Sequence, residues 1–169
     1  MSTSLVIGYG NPDREDDGVA WHVVRDLAVR FDRLDPNTPA DNILELDTGE
    51  PQHRDDTPDL MVALQLVPEL AETLSTYDRV CFVDAHTGAY GSDLNVAEAQ
   101  AAYQSSPFTH HITPQTCLEL TRAAYGHAPQ AVVVSVRGYQ FGFAHTLSAP
   151  TERLAGEAVA VIMAWLRES

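Results

Sequence analysis

Three stretches of the chain carry side chains whose types and spacing suit a shared cation site. The first is Gly8-Tyr9-Gly10-Asn11-Pro12-Asp13-Arg14-Glu15-Asp16-Asp17-Gly18, which joins an apolar run to a helix-patterned segment. It opens like a dinucleotide-binding loop, but Asp13 stands where the third glycine belongs. Four carboxylates crowd into Asp13 to Asp17, and a pyrophosphate would meet strong repulsion there, so a nucleotide site is excluded. Two readings of these acids stay open. They form a solvated helix-capping loop, with Asp16 or Asp17 as N-cap, or one of them turns back over a sheet edge as a hard oxygen ligand. The second stretch is Asp84, which ends the apolar run Val80 to Val83 and precedes Ala85-His86-Thr87-Gly88. A carboxylate in such a strand is costly unless it is paired, caps backbone amides or meets a metal. The third is the doublet His110-His111, a few residues before a helix. Two carboxylates and an imidazole make a mixed oxygen and nitrogen set suited to Zn²⁺, Ni²⁺ or a similar borderline cation, with positions left open for a substrate.

Other chemistries fit badly. The chain has no G-x-S-x-G elbow and no HExxH helix. Cys117 falls mid-helix on an apolar face and reads as packing. His22, His53 and His127 receive no role, and His145 follows a Phe-Gly-Phe stretch with nothing in the sequence to place it.

These groups need elements to hold them. Leu5 to Tyr9, Leu60 to Leu64, Arg79 to Asp84 and Ala131 to Val136 read as core strands, and Leu94 to Glu98 as an edge strand. Val19, Val23, Leu27 and Phe31 recur every four residues and predict a helix over 18–33. Pro68 starts a short helix. Thr113-Pro114 caps a third, with Cys117, Leu120 and Ala124 inward and Gly126 as its stop. The last runs over 151–168, burying Leu154, Ala158, Val161, Ile162, Trp165 and Leu166. The stretch 34–58, rich in Pro and Asp, reads as a surface insertion with one edge strand at Ile43 to Leu46. Strands alternating with helices imply one α/β domain over 1–169, a three-layer α/β/α sandwich around a mostly parallel sheet. In such sheets ligands bind beyond the carboxyl ends of the strands, where all three stretches fall.

Composition narrows the partners. The 169 residues carry 24 acidic and 10 basic side chains, a formal charge of -14, and every cation is an arginine. That field repels phosphate backbones and anionic membranes. Two cysteines outside any CxxC pair suit a reducing cytoplasm, and no signal peptide or membrane span is expected. A monomer is expected, with a dimer through an apolar patch still open.

Leu5-Val6-Ile7-Gly8-Tyr9-Gly10-Asn11, Asp16-Asp17-Gly18, Val83-Asp84-Ala85 and His110-His111-Ile112-Thr113-Pro114, in that order and relative spacing, resemble the hydrogenase maturation proteases. The later Tyr125 to Pro129 and Leu147-Ser148 continue the likeness, leaving only about 34–58 unmatched. The resemblance implies an endopeptidase that removes the C-terminal extension of a [NiFe]-hydrogenase large-subunit precursor after nickel insertion. It implies Asp17, Asp84 and His110 as metal-recognising and catalytic residues, with Asp17 where the family carries Glu or Asp. His111 and His86 are rivals for the third place. Nickel would arrive with the substrate, and zinc or cadmium could replace it in vitro. Gly10 and Asn11 would offer backbone amides to the extended tail. Two rivals accompany this reading. A non-catalytic assembly factor would hold a metalloprotein precursor without cutting it. The Gly8 to Pro12 segment also resembles peptidyl-tRNA hydrolase, but Trp21 sits where that family places its histidine, His22 is one residue late, and the acidic charge opposes tRNA.

Overall fold

A computed structural model of the chain describes residues 2–46, 57–104 and 111–168. Five strands form one sheet: β1 (Ser4–Tyr9), β2 (Asp59–Ala63), β3 (Arg79–His86), β4 (Leu94–Ala99) and β5 (Gln130–Arg137). Their order is β2-β1-β3-β5-β4. All neighbours are parallel except β4, which runs antiparallel to β5 at one edge. The helices are α1 (Val19–Arg30), α2 (Leu70–Leu74), α3 (Pro114–Tyr125) and α4 (Ala149–Arg167). The α/β/α sandwich with a mostly parallel sheet is as the sequence predicts.

The central strands are apolar through most of their length because both of their faces are covered. Period-two alternation divides them. Val6, Cys81, Val83, Val134 and Val136 join the core beneath α1 and α4, with Trp21, Leu27, Leu154 and Ile162. Leu5, Ile7, Val80, Phe82 and Val133 join the core beneath α2 and α3, with Leu70, Leu74, Cys117 and Leu118. Gly8 lets α1 come close, since a Cβ there would stand 2.8 Å from the Ala20 carbonyl oxygen. The chain leaves β1 through α1 to reach β2 on one side. It then returns through α2 to β3 on the other side of β1. The boundary between β1 and β3 is therefore the point where strand order reverses, and its carboxyl end is where a doubly wound sheet opens a crevice.

Three local expectations need correction. Ile43 to Leu46 is not a strand: Ala40–Leu46 forms a 3₁₀ helix. It starts after Pro39, whose carbonyl accepts from the Asn42 amide at 3.1 Å, and Ile43 is fully buried in the α1/α4-side core. One large apolar side chain anchors a tight turn as well as it would an edge strand. The rest of the 34–58 insertion, from residue 47 to 56, lies outside the described residues, as does His53. Neither Asp16 nor Asp17 caps α1, whose N-cap is Gly18 with no side-chain bond, preceded by a 3₁₀ turn over Glu15–Gly18. On α3 the inward face is Pro114, Cys117, Leu118 and Thr121, while Ala124 is exposed. Its predicted ends are correct: the Thr113 hydroxyl accepts from the Thr116 amide, and Gly126 closes the helix at φ 80°.

Candidate functional site

Asp84 projects from β3 at the boundary with β1. Gly8 pairs with Val83, so Tyr9 and Asp84 lie side by side on adjacent strands. By alternation both belong to the face covered by α2 and α3. The Tyr9 hydroxyl donates to Asp84 Oδ2 at 2.8 Å. Among the described residues Asp84 Oδ1 is buried and has no hydrogen-bond partner. Ser135, directly opposite Asp84 on β5, also has a buried, unpartnered Oγ. Its hydroxyl lies near enough to ease the carboxylate's charge. Burial drives the Asp84 carboxyl above its ordinary range, opposed in part by the Ser135 and Tyr9 hydroxyls. The Tyr9 phenol is itself pushed far up by burial and by the Asp84 charge. A buried carboxylate oxygen left bare is an unfavourable arrangement. A cation ligand is a chemical reason to keep one, so the atom fits a metal.

Asp17 reaches the same tip of β1 from the other side. Its Oδ2 accepts from the Asn11 amide at 2.9 Å. Gly10 is held at φ 142°, where a Cβ would come within 2.2 Å of the Asp17 carbonyl oxygen, so the turn admits only glycine. Asn11 Oδ1 accepts from the Asp13 amide at 2.9 Å, which tightens the loop. The amides of Gly10 and Asn11 are both spent inside the chain, on the Ala63 carbonyl at 3.1 Å and on Asp17. They shape the loop and are not free donors for a substrate tail. Trp21 explains the peptidyl-tRNA hydrolase spacing: it is buried, and its indole N–H donates to the Gly10 carbonyl at 3.0 Å.

Asp16 has a different task from its neighbour. It is 0% exposed and accepts from the amides of Tyr139, Gln140 and Ser148 and from the Ser148 hydroxyl at 2.6 to 2.9 Å. Burial alone would raise its pKa, but these donors outweigh it and the net shift is downward. Asp16 thereby ties the loop carrying Asp17 to the start of α4. Glu15 completes the lacing: its amide bonds the Ala144 carbonyl, and its carboxylate accepts from the Gly142 amide.

The histidines divide. His110 lies outside the described residues. His111 is exposed, and Ile112 after it packs on the α2/α3-side core, as Tyr9 does. His86 is buried with both ring nitrogens in use: Nδ1 accepts from the Gly88 amide and Nε2 faces the Asp93 carbonyl, each at 3.1 Å. Those bonds shape the turn after β3 and leave no lone pair for a metal. His145 bridges Asp13 at 2.8 Å and Asp41 at 3.0 Å, joining loop one to the 3₁₀ turn. Among the described residues no three His, Cys, Asp or Glu side chains gather as a metal-binding group. Asp84 is bonded by Tyr9 and Asp17 by Asn11, two residues apart at the carboxyl end of β1. Tyr9 and Ser135 escaped sequence reasoning. Strand register could have exposed Tyr9, which shares the parity of Ile7 at the end of β1.

No protein-family model matches the chain, and no curated protein matches it. Solved structures do. The [NiFe] hydrogenase maturation protease HycI from Thermococcus kodakarensis KOD1 is 18% identical, with a TM-score of 0.65 over 98% of this chain and 93% of that one. The hydrogenase maturating endopeptidase HybD from E. coli is 17% identical, at 0.64 over 98% and 93%. HybD from Thermococcus kodakarensis is 12% identical, at 0.64 over 97% and 99%. The chain has the hydrogenase maturation protease fold. No helix among the described residues is long and apolar enough to cross a membrane.

Proposed function

We propose that the chain is an endopeptidase that trims the C-terminal extension from the large-subunit precursor of a [NiFe] hydrogenase once nickel is in place. The observation that carries this reading is the bare, buried Oδ1 of Asp84 at the β1/β3 boundary of a maturation-protease fold. Asp17 and Asp84 would recognise the precursor's nickel, with His110 as third ligand, and zinc or cadmium would serve as substitutes in vitro. Recognition then becomes proximity, because seating the nickel brings the adjoining peptide bond to the site. The substrate's cation supplies Lewis acidity toward the scissile carbonyl. Asp84, kept basic by burial and steadied by Tyr9, accepts a proton from the attacking water. The water oxygen bonds the carbonyl carbon, the C–N bond breaks, and the proton passes to the leaving amine. A cytoplasmic setting suits a nickel-loaded precursor, and a monomer suffices for the chemistry.

Purified protein mixed with nickel-loaded precursor should shorten it at the C-terminus, read as a mass loss. Binding with no mass loss would replace this reading with a non-catalytic assembly factor.

Phe143 extends the reading to the precursor's approach. It is 87% exposed, and the Arg14 guanidinium stands 4.9 Å from its ring centroid while donating to the Phe141 and Gly142 carbonyls. This is an aromatic side chain held out beside loop one, the form of an interface anchor. Phe143→Ser should raise KM for the precursor about tenfold, the effect of losing one anchor of roughly 1.4 kcal/mol. Its kcat and melting temperature should hold, since nothing buried is disturbed. An unchanged KM removes Phe143 from the docking path.

A further inference from the structure

We infer that Tyr9 sets the metal preference of the site by making Asp84 a one-oxygen ligand. The inference deepens the proposed function and rests on its placement of Asp84 beside the substrate's cation. Tyr9 Oη holds Oδ2 at 2.8 Å, while Oδ1, on the same carboxylate, is buried and bare. A cation at this carboxylate therefore meets one lone-pair-rich oxygen, with the other already accepting a hydrogen bond. Tyr9 cannot easily swing aside. Its ring packs on the core beneath α2 and α3, and the next residue is pinned by the Gly10 amide to the Ala63 carbonyl and by the Trp21 indole to the Gly10 carbonyl.

Calcium takes six to eight oxygens and commonly binds a carboxylate through both. Nickel and its borderline neighbours are content with fewer donors in stricter geometry. Forcing one-oxygen binding at Asp84 penalises calcium and leaves nickel its ligand. A group that orients a ligand in this way typically matters by about 10- to 100-fold in metal affinity. Tyr9 is thus a positioning residue, acting through Asp84.

Titration calorimetry of the full chain with nickel chloride and with calcium chloride, for wild type and Tyr9→Phe, tests this. The nickel affinity of the variant should fall about tenfold or more, with calcium affinity equal or tighter, so the nickel-to-calcium ratio drops by at least that factor. Infrared spectra of the nickel-loaded proteins add a direct signature: the carboxylate stretching splitting should narrow in the variant as two-oxygen binding becomes possible. Phenylalanine keeps the ring, and a thermal melt verifies the fold. A folded variant with an unchanged ratio and unchanged splitting overturns the inference, as does a wild type that prefers calcium. A wild type that selects nickel yet leaves the precursor uncut sinks the endopeptidase reading alone. Cleavage with unaltered selectivity in the variant sinks this inference alone.

Discussion

Asp84→Asn should abolish trimming of the nickel-loaded precursor, by at least 1,000-fold on the order expected when an essential charged group in a site is lost, while making the protein more stable. The two halves come from the same atoms. Asparagine keeps an oxygen for the Tyr9 hydroxyl that now bonds Oδ2. It also offers an N–H₂ to the unpartnered Ser135 Oγ across β5. One bare buried acceptor disappears and one buried hydroxyl gains a partner, a gain of about 1 kcal/mol. For a chain of this size that is roughly 2–4 °C in Tm.

The pH dependence of that gain has a definite sign. The folded-state pKa of Asp84 is raised, chiefly by burial. Between the unfolded value and the raised folded value the native state binds the extra proton, so wild-type stability falls as pH climbs through that window. The penalty is complete above the folded pKa. Melting curves of wild type and Asp84→Asn should therefore differ most above the raised folded pKa and converge as acid protonates Asp84. An Asn variant that melts lower than wild type at pH 7, or that still trims the precursor, contradicts the assignment of Asp84 as a retained, functional strain.

The difference between what the residues announced and what they concealed follows from range. Val80 to Val83 read as a strand covered on both faces because apolarity at every position has one structural meaning, and Asp84 stood out against it. Thr113-Pro114 and Gly126 marked both ends of α3 because capping is decided within a turn. Asp16 and Asp17 could not be told apart in the same way. Adjacent acids look alike along the chain, and only the fold reveals that one faces the Tyr139–Ser148 amides, more than a hundred residues away, and the other the Asn11 amide. Ile43 misled for the opposite reason: a lone buried isoleucine between prolines fits a strand or a 3₁₀ turn equally, and packing on α1 chose the turn. For Tyr9, parity along β1 gives only the face it shares with Ile7; its bond to Asp84 depends on β3 lying beside β1, a fact of topology.

Asp16→Asn is expected to be the most destabilising conservative change in the loop. The wild-type carboxylate is fully buried and collects three amides and the Ser148 hydroxyl. Thr151 Oγ1 stands at 2.9 Å as a further neighbour. The three amides and the Ser148 hydroxyl aim protons inward, and an amide side chain must set its own N–H₂ against at least one of them. Charge-assisted bonds of this kind are worth about 1.5–3 kcal/mol each, and removing the charge from a buried cluster costs about 3 kcal/mol in all. The melting temperature should drop by roughly 6–12 °C. Here the linkage runs opposite to Asp84. The folded pKa of Asp16 is lowered by its donors, so its contribution is whole above the ordinary carboxylate range and drains away as pH falls through the folded value. Wild type should lose its advantage over Asp16→Asn only in strong acid, whereas near neutrality the gap is flat. Trimming should fall as well, because the loop that presents Asp17 is anchored to α4 through Asp16, yet added nickel-loaded precursor should recover part of it by binding the ordered loop. A variant melting within about 2 °C of wild type would show that the Asp16 cluster is not what fixes the loop to α4.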